Sequence, residues 1–173
     1  PNDTIQRPTT GYGISKLYAE RWGEYYFRKY GLDVRGVRLP GIISWKTEPT
    51  AGTTDYAVAI FYGAIRERRY ACYLGPSTML PMMYMPDAIK ALIDIEKASL
   101  NSLKHHTDFN VASMSFTPQE LAGEILRETS EFIMEYKVDP VRQAIADSWP
   151  DSLDDSAAHH EWGWEPSWGL EEM

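Results

Sequence analysis

A tyrosine and a lysine four residues apart, Tyr12 and Lys16, stand in Thr9-Thr10-Gly11-Tyr12-Gly13-Ile14-Ser15-Lys16, at the head of what reads as a long helix. Four residues turn about 400° at 3.6 residues per turn, so the two side chains share one face. A phenol with its reference pKa of about 10 is protonated at neutral pH. A neighbouring ammonium favours the ionised form. A tyrosine so placed could exchange a proton with a substrate hydroxyl as general acid or base. The spacing also occurs by chance on many solvated helix faces, so the rest of the chain has to decide.

A second stretch, Gly52-Thr53-Thr54-Asp55, carries two hydroxyls beside the free N–H groups of a helix start, which suits a carboxylate ligand. A plain helix cap, Thr54 as N-cap with Asp55 in the first turn, explains those two residues but not Thr53, and is the reading to prefer on this stretch alone. The pairs His105-His106 and His159-His160 lack metal-ligand spacing and read as solvated surface. Cys72, the methionines at 82, 83 and 85, and Trp162-Gly163-Trp164 read as packing. Neither GxGxxG nor GxxxxGK occurs.

The bulk numbers bound the function class. With 173 residues the chain can build a core. Its 25 acidic against 17 basic side chains give a net charge of -8, which disfavours nucleic acid and anionic membrane surfaces as partners. A single cysteine excludes an internal disulfide and suits a reducing compartment, cytoplasmic or the mitochondrial matrix. The opening Pro1-Asn2-Asp3-Thr4 has no apolar segment, so no signal peptide is expected. Arg7-Pro8-Thr9-Thr10-Gly11 reads as a loop feeding a helix, so a piece of a longer protein is expected.

The elements that must position these residues follow from periodicity. A helix is predicted over 12–30, with Leu17, Tyr18, Trp22, Tyr25, Tyr26 and Phe27 on its apolar side and Gly31 ending it. A strand is predicted over 33–39, a loop over 40–54, and a helix from Asp55 to about Arg69. Strands are predicted at 71–74 and 79–85, the second an edge strand or a bend because of Pro81. Pro86 to Ala98 reads as a helix with Ala88, Ile89, Leu92 and Ile93 facing the core. A strand at 107–111 and a capping box at Thr117-Pro118-Gln119-Glu120 follow. Then come a strand at 132–138, a helix opened by Asp139-Pro140, and a short helix over 154–162. The composition changes near residue 40, from a regular helix-and-strand layer to small, loop-rich pieces.

Taken together, the order of these segments resembles the C-terminal part of the extended short-chain dehydrogenase/reductase superfamily, the NAD-dependent epimerase/dehydratase type. Within it, the chain looks most like the NAD-dependent L-threonine 3-dehydrogenases. The residues that carry this are Tyr12-Gly13-Ile14-Ser15-Lys16, Val37-Arg38-Leu39-Pro40-Gly41-Ile42, Gly52-Thr53-Thr54-Asp55-Tyr56-Ala57, Leu80-Pro81-Met82-Met83-Tyr84 and Arg142-Gln143-Ala144-Ile145-Ala146-Asp147-Ser148-Trp149-Pro150. The resemblance implies an α/β fold: residues 1–40 would be the C-terminal piece of a Rossmann dinucleotide-binding domain. Residues 41–173 would be mainly a substrate-binding lobe with some returning Rossmann elements.

It implies roles as well. Tyr12 would be the acid/base, and Lys16 would favour its ionised form and hold the nicotinamide ribose. Leu39, Pro40 and Ile42 would line the nicotinamide pocket of NAD. Thr53 and Thr54 would sit near the amino acid, and Trp149 would cover the pocket. The reaction would oxidise L-threonine to 2-amino-3-oxobutanoate. Such enzymes are usually homodimers, pairing through the helix that carries the Tyr and Lys. The family's Gly-rich turn and the Ser or Thr that completes the catalytic set are not in residues 1–173, so this chain alone is expected to be inactive. A nucleotide-sugar epimerase or dehydratase, or a non-catalytic binding module of the same fold, are the alternatives.

Overall fold

The computed structural model describes all 173 residues. Six helices and seven short strands alternate along the chain as a mixed α/β fold. Two compact units share the chain. Residues 1–39, 88–112 and 153–165 make the first, and residues 40–87, 113–152 and 166–173 make the second.

In the first unit, α1 (Gly11–Tyr30) starts where the Thr10 hydroxyl accepts the Gly13 N–H at 3.1 Å. It ends at Gly31, whose φ of 67° is left-handed, with its N–H bonded to the Phe27 carbonyl. The predicted strand over 33–39 contracts to β1 (Val37–Arg38), parallel to β5 (Phe109–Asn110). β1 has this one neighbour, so its other edge is unpaired. The helix comes close to this ladder because Gly23 has no side chain. A Cβ there would stand 2.7 Å from the Thr107 methyl and 2.9 Å from a Val34 methyl. The Thr107 hydroxyl in turn donates to the Glu20 carbonyl at 3.0 Å.

Two expectations fail here. His106 is buried against Phe27, ring centroids 3.6 Å apart, because the dipeptide leads straight into β5. Its neighbour His105 meets Glu161 at 2.6 Å through Nδ1. On α3 (Met85–Lys97), the buried stripe is Ala88, Ala91 and Ile95, while Ile89, Leu92 and Ile93 are about half exposed. Ile89, Leu92 and Ile93, at i, i+3 and i+4, form one apolar stripe as expected, but it lies beside the buried one and nothing in this unit covers it. The short α6 (Ser156–Trp162) is present and delivers fully buried Trp164 behind it.

The second unit is built on a three-stranded sheet in the order β2 (Gly41–Ile43), β4 (Leu80–Tyr84), β6 (Met114–Phe116). β2 lies in the region predicted as loop. β4 is the central strand, not an edge, despite Pro81. Its parallel pairing with β2 begins only at Met82, so Pro81 faces no partner there, and Leu80, Met82 and Met83 are fully buried. A second sheet pairs β3 (Arg69–Cys72) with β7 (Ile133–Tyr136) in parallel. α2 (Tyr56–Glu67) buries Tyr56, Ala57, Val58, Ile60 and Ala64, and Arg68 ends it in a left-handed conformation. α4 (Pro118–Glu128) opens on the expected capping box, both reciprocal bonds formed between Thr117 and Glu120. α5 (Pro140–Ala146) is capped by the Asp139 carboxylate on the N–H groups of Val141 and Arg142.

Candidate active site

Tyr12 is the second residue of α1, where the helix leaves its side chain 74% exposed. One turn on, the Lys16 ammonium lies 5.4 Å from the centroid of the Tyr12 ring. Neither side chain is engaged in a hydrogen bond or an ion pair. Both border a cavity of about 560 Å³ that continues along Ala19 and Glu20 to the residues of β1 and to Leu39. Its wall is stiff. The Arg38 guanidinium binds the Glu20 carboxylate through two bonds, 2.9 Å and 2.8 Å, with each side chain 17% exposed. Burial alone would lower the affinity of Arg38 for its proton. The Glu20 bond and charge outweigh that and hold it above the ordinary value. The two-bond contact fixes both side chains, while the Tyr12 phenol and the Lys16 ammonium remain free for a ligand.

Within the second unit, Pro40 and Ile42 are half-buried, Ile42 in register with Met83. Thr53 and Thr54 form a single 3₁₀ turn, Thr53–Asp55, that leads into α2. The expectation that Thr54 caps this helix is corrected, since no side chain caps either start. Asp55 is turned back instead, accepting the N–H and the hydroxyl of Thr50, both at 2.6 Å. That leaves both threonine hydroxyls without an intramolecular bond. The Thr54 methyl packs on β2 because position 41 is glycine: a Cβ there would come within 2.7 Å of it. Trp149 stands 40% exposed in the turn after α5, its N–H on the Ala146 carbonyl, and no hydrogen bond links its side chain to Thr53 or Thr54. Thus Tyr12, Lys16 and Leu39 line one cavity of the first unit. Thr54 and the strand holding Ile42 meet in the second.

Three residues at these places escaped the sequence reading. Glu20 and Arg38 are paired by a contact that spans 18 positions. Tyr73, from the segment after β3, donates its hydroxyl to the Gly52 carbonyl at 2.7 Å. Nothing in the local pattern marks any of them. Cys72 is fully buried, as expected, and burial pushes its thiol up to about 11. The apolar cavity of about 460 Å³ beside Trp45, Phe61, Tyr62 and Tyr84 carries two phenols but no lysine, histidine or carboxylate beside them. No group of three or more histidine, cysteine or carboxylate residues could hold a metal ion, and no helix is long and apolar enough to cross a membrane.

Comparison with known proteins agrees with this architecture. The mitochondrial L-threonine 3-dehydrogenase of Bos taurus is 51% identical over all 173 residues, which cover 46% of that protein. The crystal structure of L-threonine dehydrogenase from Clostridium difficile superposes with a TM-score of 0.97 at 49% identity, covering 99% of this chain and 54% of the other. The holo form of the GalE-like L-threonine dehydrogenase from Cupriavidus necator gives 0.95 at 49% identity, covering 99% and 56%. The chain spans about half the length of the curated relatives it matches. Residues 1–112 match the family described as NAD dependent epimerase/dehydratase, and the chain belongs to that family.

Proposed function

We propose that the whole protein is an NAD-dependent dehydrogenase that oxidises the β-hydroxyl of L-threonine to give 2-amino-3-oxobutanoate. The observation that carries this reading is the unengaged Tyr12–Lys16 pair, ring and ammonium 5.4 Å apart at the mouth of a 560 Å³ cavity. It is supported by the half-identity of the entire chain to threonine dehydrogenases. Tyr12 takes the proton of the substrate hydroxyl as the carbonyl forms. Lys16 stabilises the phenolate by its charge and donates to a ribose hydroxyl of NAD. Its ammonium has no competing carboxylate, and the cavity has room for a ribose, so these residues fit that group. NAD, when bound, accepts the hydride from the substrate carbon. Leu39, Pro40 and Ile42 line the nicotinamide, Thr53 and Thr54 offer hydroxyls to the amino acid, and Trp149 covers the pocket.

The remaining roles belong to the same reading. Residues 1–40 serve the dinucleotide and most of 41–173 the substrate. The unpaired edge of β1 accepts a strand from the part of the whole protein that this chain does not cover, which the family resemblance puts N-terminal to it. The pyrophosphate turn lies there too, so the 173-residue chain alone does not turn over threonine. The exposed rings of Tyr18, Trp22, Tyr26 and Tyr30 on α1 meet a second copy, making a homodimer. The single buried thiol suits a reducing compartment. NADH formation from L-threonine, followed by absorbance in the whole protein, tests the assignment. Tyr12→Phe should lower turnover by roughly 10²-fold or more while NAD binding persists. Turnover that survives in Tyr12→Phe refutes the role of Tyr12.

A further inference from the structure

We infer that Tyr73 and Arg142 are positioning residues that hold the Gly52–Thr53 turn in the shape that presents Thr53 and Thr54 to the amino-acid substrate. This rests on the function proposed above and deepens it. The turn has little else to fix it. Gly52 is extended, with φ of -65° and ψ of 151°, and no side chain caps the 3₁₀ turn. Its carbonyl accepts the Asp55 N–H at 3.2 Å, and the Asp55 carboxylate is spent on Thr50. The Tyr73 hydroxyl therefore supplies the one side-chain tie to this backbone, reaching the Gly52 carbonyl at 2.7 Å and the Thr53 carbonyl at 3.3 Å.

The ring of Tyr73 is itself clamped. The Arg142 guanidinium lies 4.1 Å from its centroid, a cation–π distance. Tyr56 meets it edge-on at 6.5 Å. The nearest carboxylate to Arg142 is Asp139, 4.0 Å away, already committed to capping α5. The backbone reinforces the arrangement, because the Asp139 N–H donates to the Tyr73 carbonyl at 2.9 Å. Gln143 accepts the Gly75 N–H at 2.8 Å and donates to the Thr78 hydroxyl at 2.9 Å. The start of α5 is thus riveted on both sides of Tyr73.

The test uses the whole protein with L-threonine and NAD as probes. Tyr73→Phe keeps the ring and its packing but removes the tie. The loss of one hydrogen bond corresponds to about a five-fold rise in KM for threonine, with kcat within two-fold and NAD affinity unchanged. Arg142→Met should raise the same KM, Arg142→Lys should restore most of it, and the Tyr73→Phe/Arg142→Met double variant should fall short of the product of the two. A purely structural role would lower the melting temperature and leave KM as it was, and that result overturns the inference. Failure of the unmodified protein to oxidise threonine overturns the proposed function and this inference with it. Threonine oxidation with an unchanged KM in Tyr73→Phe overturns the inference alone.

Discussion

Asp87 offers a direct test of what holds the end of this chain. Its side chain is 1% exposed, in the first turn of α3, and it forms no ion pair. Both carboxylate oxygens accept the Ser167 N–H, at 3.0 Å and 3.1 Å, and one accepts the Trp168 N–H at 3.1 Å. The held segment is also tied by the Ser113 hydroxyl on the Trp168 carbonyl and by the Trp168 ring on Tyr84. Replacing Asp87 by alanine deprives two N–H donors of a charged acceptor. At about 1.5 kcal/mol for each charge-assisted bond, the loss is about 3 kcal/mol, with up to about 1 kcal/mol more from the helix dipole. For a chain of this size that lowers the melting temperature by roughly 6–16 °C. Asp87→Asn keeps the shape but turns an amide N–H₂ toward a donor, so it should lose more than half as much. Calorimetry or thermal circular dichroism reads the shift. A change below about 2 °C in both variants would show that the backbone donors find water at no cost, and the reasoning would fail.

Two further outcomes follow from ionisable groups away from the site. Glu161 is partly desolvated, which would raise its pKa, but the N–H groups of His105 and Lys104 and the His105 ring outweigh this and lower it. A carboxylate depressed in the folded state stabilises the fold above its ordinary value of 4.5 and loses that contribution as pH falls through the folded value. Chemical denaturation below pH 4.5 should therefore show a steeper loss of stability in the unmodified protein than in Glu161→Gln. Equal slopes would contradict the geometry. The Cys72 thiol, buried and pushed up to about 11, should react with a thiol reagent at pH 8 only on the timescale of unfolding. Stoichiometric labelling within seconds in native buffer would count against its burial.

What the sequence disclosed and what it concealed divide along a physical line. Local chemistry was legible: Gly31 as a left-handed stop, the capping box at Thr117 and Glu120, and Asp139-Pro140 as a helix start all formed. Those signals act within four residues. Long-range partnership was not. Pro81 marked β4 as an edge because nothing nearby reveals that its parallel neighbour starts one residue later. The polar look of His105-His106 hid the stacking of His106 on Phe27. Thr54 looked like a cap because the local pattern does not announce that it would lie inside a 3₁₀ turn, with Asp55 at the N-cap position of α2. At the site, the Tyr12–Lys16 face was readable from helical spacing, whereas Glu20–Arg38 and Tyr73–Gly52 join residues 18 and 21 positions apart.

The way the two units divide the chain also constrains how the protein is made. The first unit draws on residues 1–39, 88–112 and 153–165, and the second closes with 166–173. At roughly 5–20 residues per second, α1 emerges from the ribosome many seconds before β5, its ladder's partner strand, and α6. The unit cannot complete until nearly all of these 173 residues have been synthesised. During that interval the edge of β1 that awaits β5 stands open to whatever is near. Nascent-chain protection by a chaperone matters most in that window, and a ribosome stalled before residue 153 leaves both units without a finishing segment.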